Sequence, residues 1–243
     1  MAHTAEGLGD SPLLSEVLGN RSRPDTLWIS KVTGVSPAEA ASAFDGLAGY
    51  RAEAAEMAKR IAATGRSYYA QFPAPLELYA LVRLTRPRRL VESGVSSGVS
   101  STFILMGTNS NHRGTLHSID YPVLRTVRGG GAPWALPAGM GTGWAVPRLL
   151  RRRWDLRLGR SEDLLPPLLK ELGGLDFYCH DSPVDHRHFQ FEMRTISRCL
   201  APGSVVVADN TDWESFASAA RSLGANAVRR KRSGLGAFRV PED

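Results

Sequence analysis

The sequence predicts an α/β fold: a doubly wound, mostly parallel seven-stranded sheet with helices on both faces, preceded by a helical N-terminal extension. Three observations predict it. From Arg89 onward, short apolar runs alternate with helical patterns at the spacing of βαβ units. Two of those runs, LDFYC from Leu175 and SVVVA from Ser204, are apolar on both faces, as strands in the middle of a parallel sheet must be. The first run is followed at once by a Gly/Ser turn that opens a helix.

The elements follow in order. Residues 1–35 show no sustained period and read as an arm with one short helix. Ser36-Pro37-Ala38-Glu39 has the chemistry of a helix start: a Ser cap, Pro in the first turn, and a Glu able to reach back. An Ala-rich helix is expected from there to about Thr64. A second is expected over 75–84, stopped by Arg86-Pro87. Strands are predicted at 89–93, 114–120, 154–158, 175–181 and 204–209, with closing strands at 225–230 and 236–240. Helices are predicted at 97–108, at 161–172 with Ser161 as N-cap, at 187–200 and at 212–223. Residues 128–143 are Gly/Pro-rich and read as a loop; with Trp134 and Trp144 it has the makings of a lid. The division expected is an arm and helical cap over 1–85 and the sheet domain over 86–243.

Composition narrows the function classes. A chain of 243 residues is ample for a packed core without disulfide or metal staples. No apolar run approaches the roughly 18–20 residues of a bilayer span. Residues 1–20 carry acids and no basic region, unlike a secretory signal. Two cysteines, Cys179 and Cys199, make no disulfide framework, so a reducing, cytoplasmic setting is expected. The net charge of +6 is local. Six Arg against one Asp in residues 145–160, and five basic against two acidic residues in 226–243, carry all of it; the remainder is slightly acidic. With no aromatic interleaving and no nucleic-acid motif beside Arg148 and Arg151–Arg153, these arginines read as solvated surface, and nucleic acid is not an expected partner.

Open parallel sheets bind ligands at the carboxyl ends of their strands, near the point where strand order reverses. The first strand ends Glu92-Ser93-Gly94-Val95-Ser96-Ser97-Gly98. The spacing is G-x-x-x-G rather than the G-x-G-x-x-G of dinucleotide sites. A carboxylate two residues before the first Gly would repel a pyrophosphate but not a cationic ligand. Asp120 ends the second strand, where its two oxygens could accept from a ribose diol. Tyr121 beside it could lie on an adenine face. Asp181 ends the fourth strand and Asp209-Asn210 the fifth. Two carboxylates and an amide oxygen form a hard-oxygen set suited to Mg²⁺ or a similar cation and lack the thiolates and clustered imidazoles of structural zinc.

The acid-x-Gly-x-x-x-Gly turn resembles the first motif of the class I S-adenosylmethionine (SAM) methyltransferases. A wider bacterial methyltransferase-domain family is similar to the chain from Phe72-Pro73 through Asp209. The likeness runs through Leu78-Tyr-Ala-Leu-Val-Arg83, Val91-Glu92-x-Gly94, Leu116-x-Ser-Ile-Asp120, Gly143-Trp144-Ala-Val-Pro147, Arg153-Trp154-Asp-Leu and Gly159-Arg-Ser-x-Asp-Leu-Leu-Pro166. It implies a Rossmann-like fold and SAM as cofactor, with Glu92, Gly94, Ser96, Gly98, Asp120, Ser161 and Asp181 bordering it. The Asp181 … Asp209-Asn210 set resembles the metal site of catechol-type O-methyltransferases, in which the ion acidifies the acceptor hydroxyl. Those enzymes carry a Lys base three residues after the first Asp. Here Val184 stands there, and Asp185-His186 match the Asp-His of the wider family. His186 is therefore the expected base, with Asp181 beside it in the catalytic pair and His188 as second choice. The expected acceptor is a small molecule bearing a hydroxyl, on an enzyme with no membrane partner and with room for a homo-oligomer. A metal-independent O- or N-methyltransferase using His186 is the alternative, and a non-catalytic nucleoside- or partner-binding module on the same fold is a further one.

Overall fold

The computed structural model describes residues 24–65, 72–122, 135–182, 185–209, 212–231 and 233–242. The expected lid residue Trp134, Val184 and the predicted ligand Asn210 lie outside them.

The N-terminal part is helical. It comprises α1 (Thr26–Thr33), α2 (Pro37–Ser42), a 3-10 segment (Asp45–Tyr50), α3 (Arg51–Ala62) and α4 (Pro75–Thr85). The capping box at Ser36 forms as expected: Ser36 Oγ accepts from Glu39 N–H, and Glu39 reaches back to Ser36 N–H. The single helix expected from there to Thr64 is interrupted instead. Asp45-Gly46 and Gly49 favour a tighter turn, which buries Phe44 and Leu47. α4 stops where predicted, with Arg86 left-handed ahead of Pro87.

The sheet then follows: β1 (Arg89–Ser93), α5 (Val99–Ser110), β2 (Thr115–Asp120), a 3-10 segment (Arg148–Arg153), β3 (Trp154–Leu158), α6 (Ser161–Leu172), β4 (Leu175–His180), α7 (His186–Ser197), β5 (Leu200–Ala208), α8 (Trp213–Ser222), β6 (Val228–Arg229) and β7 (Gly236–Arg239). The strand order is β3-β2-β1-β4-β5-β7-β6. All neighbours are parallel except β7, which runs antiparallel to both β5 and β6. The predicted doubly wound, seven-stranded sheet is therefore present. β5 begins four residues before the predicted start and runs through Pro202-Gly203, which had read as a turn. A register shift opposite Leu175/Phe177 and the left-handed Gly203 absorb the irregularity. Ser161 is the first residue of α6 rather than its N-cap; Arg160 takes that position without a side-chain cap.

Two hydrophobic clusters sandwich the sheet. One joins α1–α5 to Leu90, Phe177 and Val205; the other joins α6–α8 to Val91, Tyr178 and Val206. Alternation along each central strand feeds both, which is why these strands are apolar on both faces. The N-terminal helices thus share a core with the sheet. They are also pinned to its last strands: Trp28 Nε1 donates to Val228 O at 3.0 Å, and Arg239 Nη1 to Thr33 O at 2.8 Å. Buried Glu77 accepts from Asp25 N–H and pairs with Arg230 at 2.7 Å. Among the described residues no helix is long and apolar enough to cross a membrane. The topological switch lies between β1 and β4, so the site is expected at the carboxyl ends of β1, β2, β4 and β5.

Candidate active site

β1 leads into a turn whose backbone only glycine tolerates at two points. Gly94 has φ +83°, and a Cβ there would sit 2.2 Å from Asp181 O, so the turn runs directly against the end of β4. Gly98 has φ +92°, and its Cβ would meet Val146 Cγ2 at 2.3 Å. Ser96 between them is also left-handed, at φ +48°, a strained choice for a residue with a Cβ. Gly94→Ala is expected to destabilise by about 1–3 kcal/mol from backbone strain alone, and by more once Asp181 is displaced. Gly139→Ala, at φ +77° with open space around it, should show the strain without the displacement. Urea midpoints of the two variants check this; equal losses would mean that the contact with Asp181 is unimportant.

Glu92 lies beneath the turn and is completely buried. Its Oε2 accepts from Ser101 Oγ at 2.6 Å and Ser118 Oγ at 2.7 Å, and Trp154 Nε1 donates to the same Ser118 oxygen. Its Oε1 is buried without a hydrogen-bond partner among the described residues. Burial pushes its pKa up to about 7, against the pull of the Ser100, Ser101 and Ser118 hydroxyls and with a push from Asp120. Asp120, at the end of β2, accepts from Val95 N–H at 3.1 Å and from Thr142 Oγ1 at 2.6 Å. Tyr121 beside it is 67% exposed.

The ends of β4 and β5 bring two predicted carboxylates together. Asp181 N–H donates to Ser93 O at 2.8 Å and Asp209 N–H to His180 O at 3.0 Å, each extending the ladder one residue past its strand. Burial raises Asp181 well above the usual carboxylate range, and the charges of Asp209, Glu92 and Asp120 raise it further. Among the described residues no group of three or more His, Cys, Asp or Glu is arranged to hold a metal ion. The donor set described is therefore this pair, two oxygen donors whose mutual repulsion a cation would relieve.

The two candidate bases differ sharply. His186 opens α7 behind an Asp185 cap, is exposed, and places Nδ1 3.4 Å from Asp212 Oδ2 on the N-terminal side of α8. His188 is held between Glu192 Oε1 at 3.0 Å and Glu162 Oε1 at 3.2 Å, with Ser161 Oγ 3.4 Å from its Nε2. The hydrogen bond that its ring donates to Glu192 is the largest cause lifting its pKa to about 9, opposed by burial. At neutral pH it is a cation, which removes it from the role of second-choice base.

Sequence reasoning missed what lies behind His188. Glu192 is completely buried, and its Oε2 gathers His180 Nδ1 at 2.6 Å, Tyr178 Oη at 2.7 Å and Ser93 Oγ at 2.8 Å. Burial opposes its charge, but hydrogen bonds from His180 and His188 win and hold it well below the usual carboxylate range. Glu92 and Ser93 face opposite sides of the sheet, so each face of β1 carries one buried carboxylate. The only local hint was His188 and Glu192 one helical turn apart. The arginines read as solvated surface are largely that, but two of them also hold backbone carbonyls. Arg151 donates to Gly143 O and Val146 O, and half-buried Arg153 to Gly114 O; Arg148, Arg151 and Arg152 are exposed.

A family model described as a methyltransferase domain matches residues 91–211, from β1 to just past β5. No curated protein matches the chain. Among solved structures, the O-methyltransferase TomG from Streptomyces achromogenes, crystallised with SAM, is similar at 16% identity and TM-score 0.51, covering 74% of this chain and 89% of that one. The O-methyltransferase NovP is similar at 14% identity and TM-score 0.51, covering 69% and 78%. At such identities these likenesses speak for the fold.

Proposed function

We propose that this chain, whose residues 91–211 match a methyltransferase-domain model, is a class I SAM-dependent methyltransferase that moves the methyl group of SAM onto a hydroxyl oxygen of a small molecule. One observation carries the reading: the crowding of Asp181 against Asp209, Glu92 and Asp120 beside the glycine turn. A site that concentrates negative charge at strand ends suits a sulfonium and a cation-assisted acceptor.

In this reading Gly94, Ser96 and Gly98 let the cofactor's methionyl part pass close to the backbone. Asp120 takes the ribose diol, and Ser161 lies on the adenine side. Glu92 and Asp181 face the cationic end. A divalent ion, when bound, would be held by Asp181, Asp209 and Asn210 and would acidify the acceptor hydroxyl. His186, oriented by Asp212, takes the acceptor's proton. The acceptor oxygen bonds to the methyl carbon as the S–CH₃ bond breaks, leaving S-adenosylhomocysteine. The free thiols of Cys179 and Cys199 suit a reducing cytoplasm.

A metal-independent route has its own support, because His186 is exposed beside Asp212, while among the described residues no group of three or more His, Cys, Asp or Glu is arranged to hold a metal ion. The test joins both questions. Calorimetry should show SAM binding, and methyl transfer to a panel of catechols and simple alcohols should fall on thorough chelation and return with Mg²⁺. Absence of SAM binding by the folded protein would defeat the reading. Transfer that survives chelation would defeat the metal and leave His186 as the activating group.

A further inference from the structure

Residues 142–146 form a strap over the glycine turn. Gly143 N–H donates to Ser96 O at 2.8 Å and Ala145 N–H to Ser97 O at 3.0 Å. Val146 fills the space above Gly98, and the Trp154 ring packs against Gly143. Two guanidiniums from distant parts of the chain hold the strap's carbonyls. Arg60, on α3, donates to Trp144 O at 2.8 Å, and Arg151 donates to Gly143 O at 3.0 Å and Val146 O at 3.1 Å. A segment tied at both edges in this way is a rigid mount.

What the mount presents is Thr142. This buried residue donates its hydroxyl to Asp120 Oδ2 at 2.6 Å, while Val95 N–H occupies Oδ1 at 3.1 Å. Each carboxylate oxygen has two lone pairs, so one remains free on each side. Left alone, the carboxylate would turn through a broad torsional range. Fixed at both oxygens, it offers two parallel acceptors in one plane, the arrangement that a vicinal diol requires.

We propose that Thr142 is a positioning residue that sets the Asp120 carboxylate for a ribose diol, with the Arg60–Arg151 strap as its support. This rests on the reading that Asp120 binds the ribose of SAM. The sequence placed Thr142 within a Gly-rich loop and assigned it no role.

Calorimetry with S-adenosylhomocysteine and its 2′,3′-dideoxy analogue tests it on wild type, Thr142→Val, Thr142→Ala, Thr142→Ser and Asp120→Asn. Loss of the hydroxyl in the Val and Ala variants should weaken S-adenosylhomocysteine about tenfold, the worth of one hydrogen bond to a charged acceptor. Ser should restore it. The dideoxy analogue should bind wild type and Thr142→Val alike, which a merely structural role would not produce. KM for SAM should rise in the Val variant while kcat at saturation changes little. Weakening in Asp120→Asn with none in Val or Ala would overturn the role of Thr142 and leave the ribose reading standing. Unchanged affinity in Asp120→Asn would overturn the ribose reading and the proposal with it.

Discussion

Glu192→Ala is expected to lower stability by about 3–5 kcal/mol, the loss usual when one member of a buried ion pair is removed. The side chain is completely buried and collects His180, Tyr178, Ser93 and His188. Its removal strands four polar groups between β1, β4 and α7. For a domain of this size the loss lowers Tm by roughly 10 °C. The pH profile distinguishes this network from ordinary packing. His188 has a folded pKa raised to about 9, so its contribution is full below its unfolded value near 6.5 and disappears as pH rises through 9. Glu192 is held below its ordinary value, so its contribution is present above about pH 4.5 and is lost only in stronger acid. The advantage of wild type over the variant should peak at about pH 5–6.5 and shrink through pH 9. NMR of Glu192→Gln should find His188 titrating well below 9, with Glu162 as its remaining carboxylate partner. A Gln variant with the wild-type urea midpoint and an unmoved His188 would refute this account.

Asp181→Asn should have the opposite effect on stability and a larger one on activity. Burial and three neighbouring carboxyls raise the Asp181 pKa, so the folded state binds this proton more tightly than the unfolded chain does. Wild type therefore loses stability as pH climbs from the ordinary carboxylate value through the raised one. The amide removes that penalty. The variant should melt higher than wild type at pH 8, and the gap should close as pH falls toward about 4. Turnover should drop at least about a hundredfold, the usual scale for removing a group that stabilises charge at the reacting centre. A site whose charge costs stability is what a stability–activity trade-off looks like at one residue. An Asp181→Asn protein that melts below wild type at pH 8, or turns over at the wild-type rate, would contradict this.

The readable parts of this protein were those with local causes. β1 and β3 were predicted to the residue, because an apolar run flanked by charged or turn residues states its own limits. Ser36 and Pro37 started a helix, and Arg86-Pro87 stopped one. The expected single helix over 37–64 failed at Gly46 and Gly49, where propensity was overridden by the need to bury Phe44 and Leu47. Candidate site residues were legible where topology alone places them, at the ends of β1, β2, β4 and β5. His186 and His188 are two residues apart and looked alike in the sequence. Their environments leave one exposed between Asp212 and Gln190 and make the other a clamped cation.

The sequence alone therefore determined the sheet, its strand ends and the glycine turn, because periodicity, turn chemistry and backbone sterics act within a few residues. Only the tertiary structure decided which way the pKa values of Glu92, Asp181, His188 and Glu192 move, and the fastening of Thr142 to Asp120 and of Arg60 to the strap. Those outcomes depend on burial and on partners drawn from distant segments. Solvent exclusion and the approach of charges exist only after the chain has closed on itself.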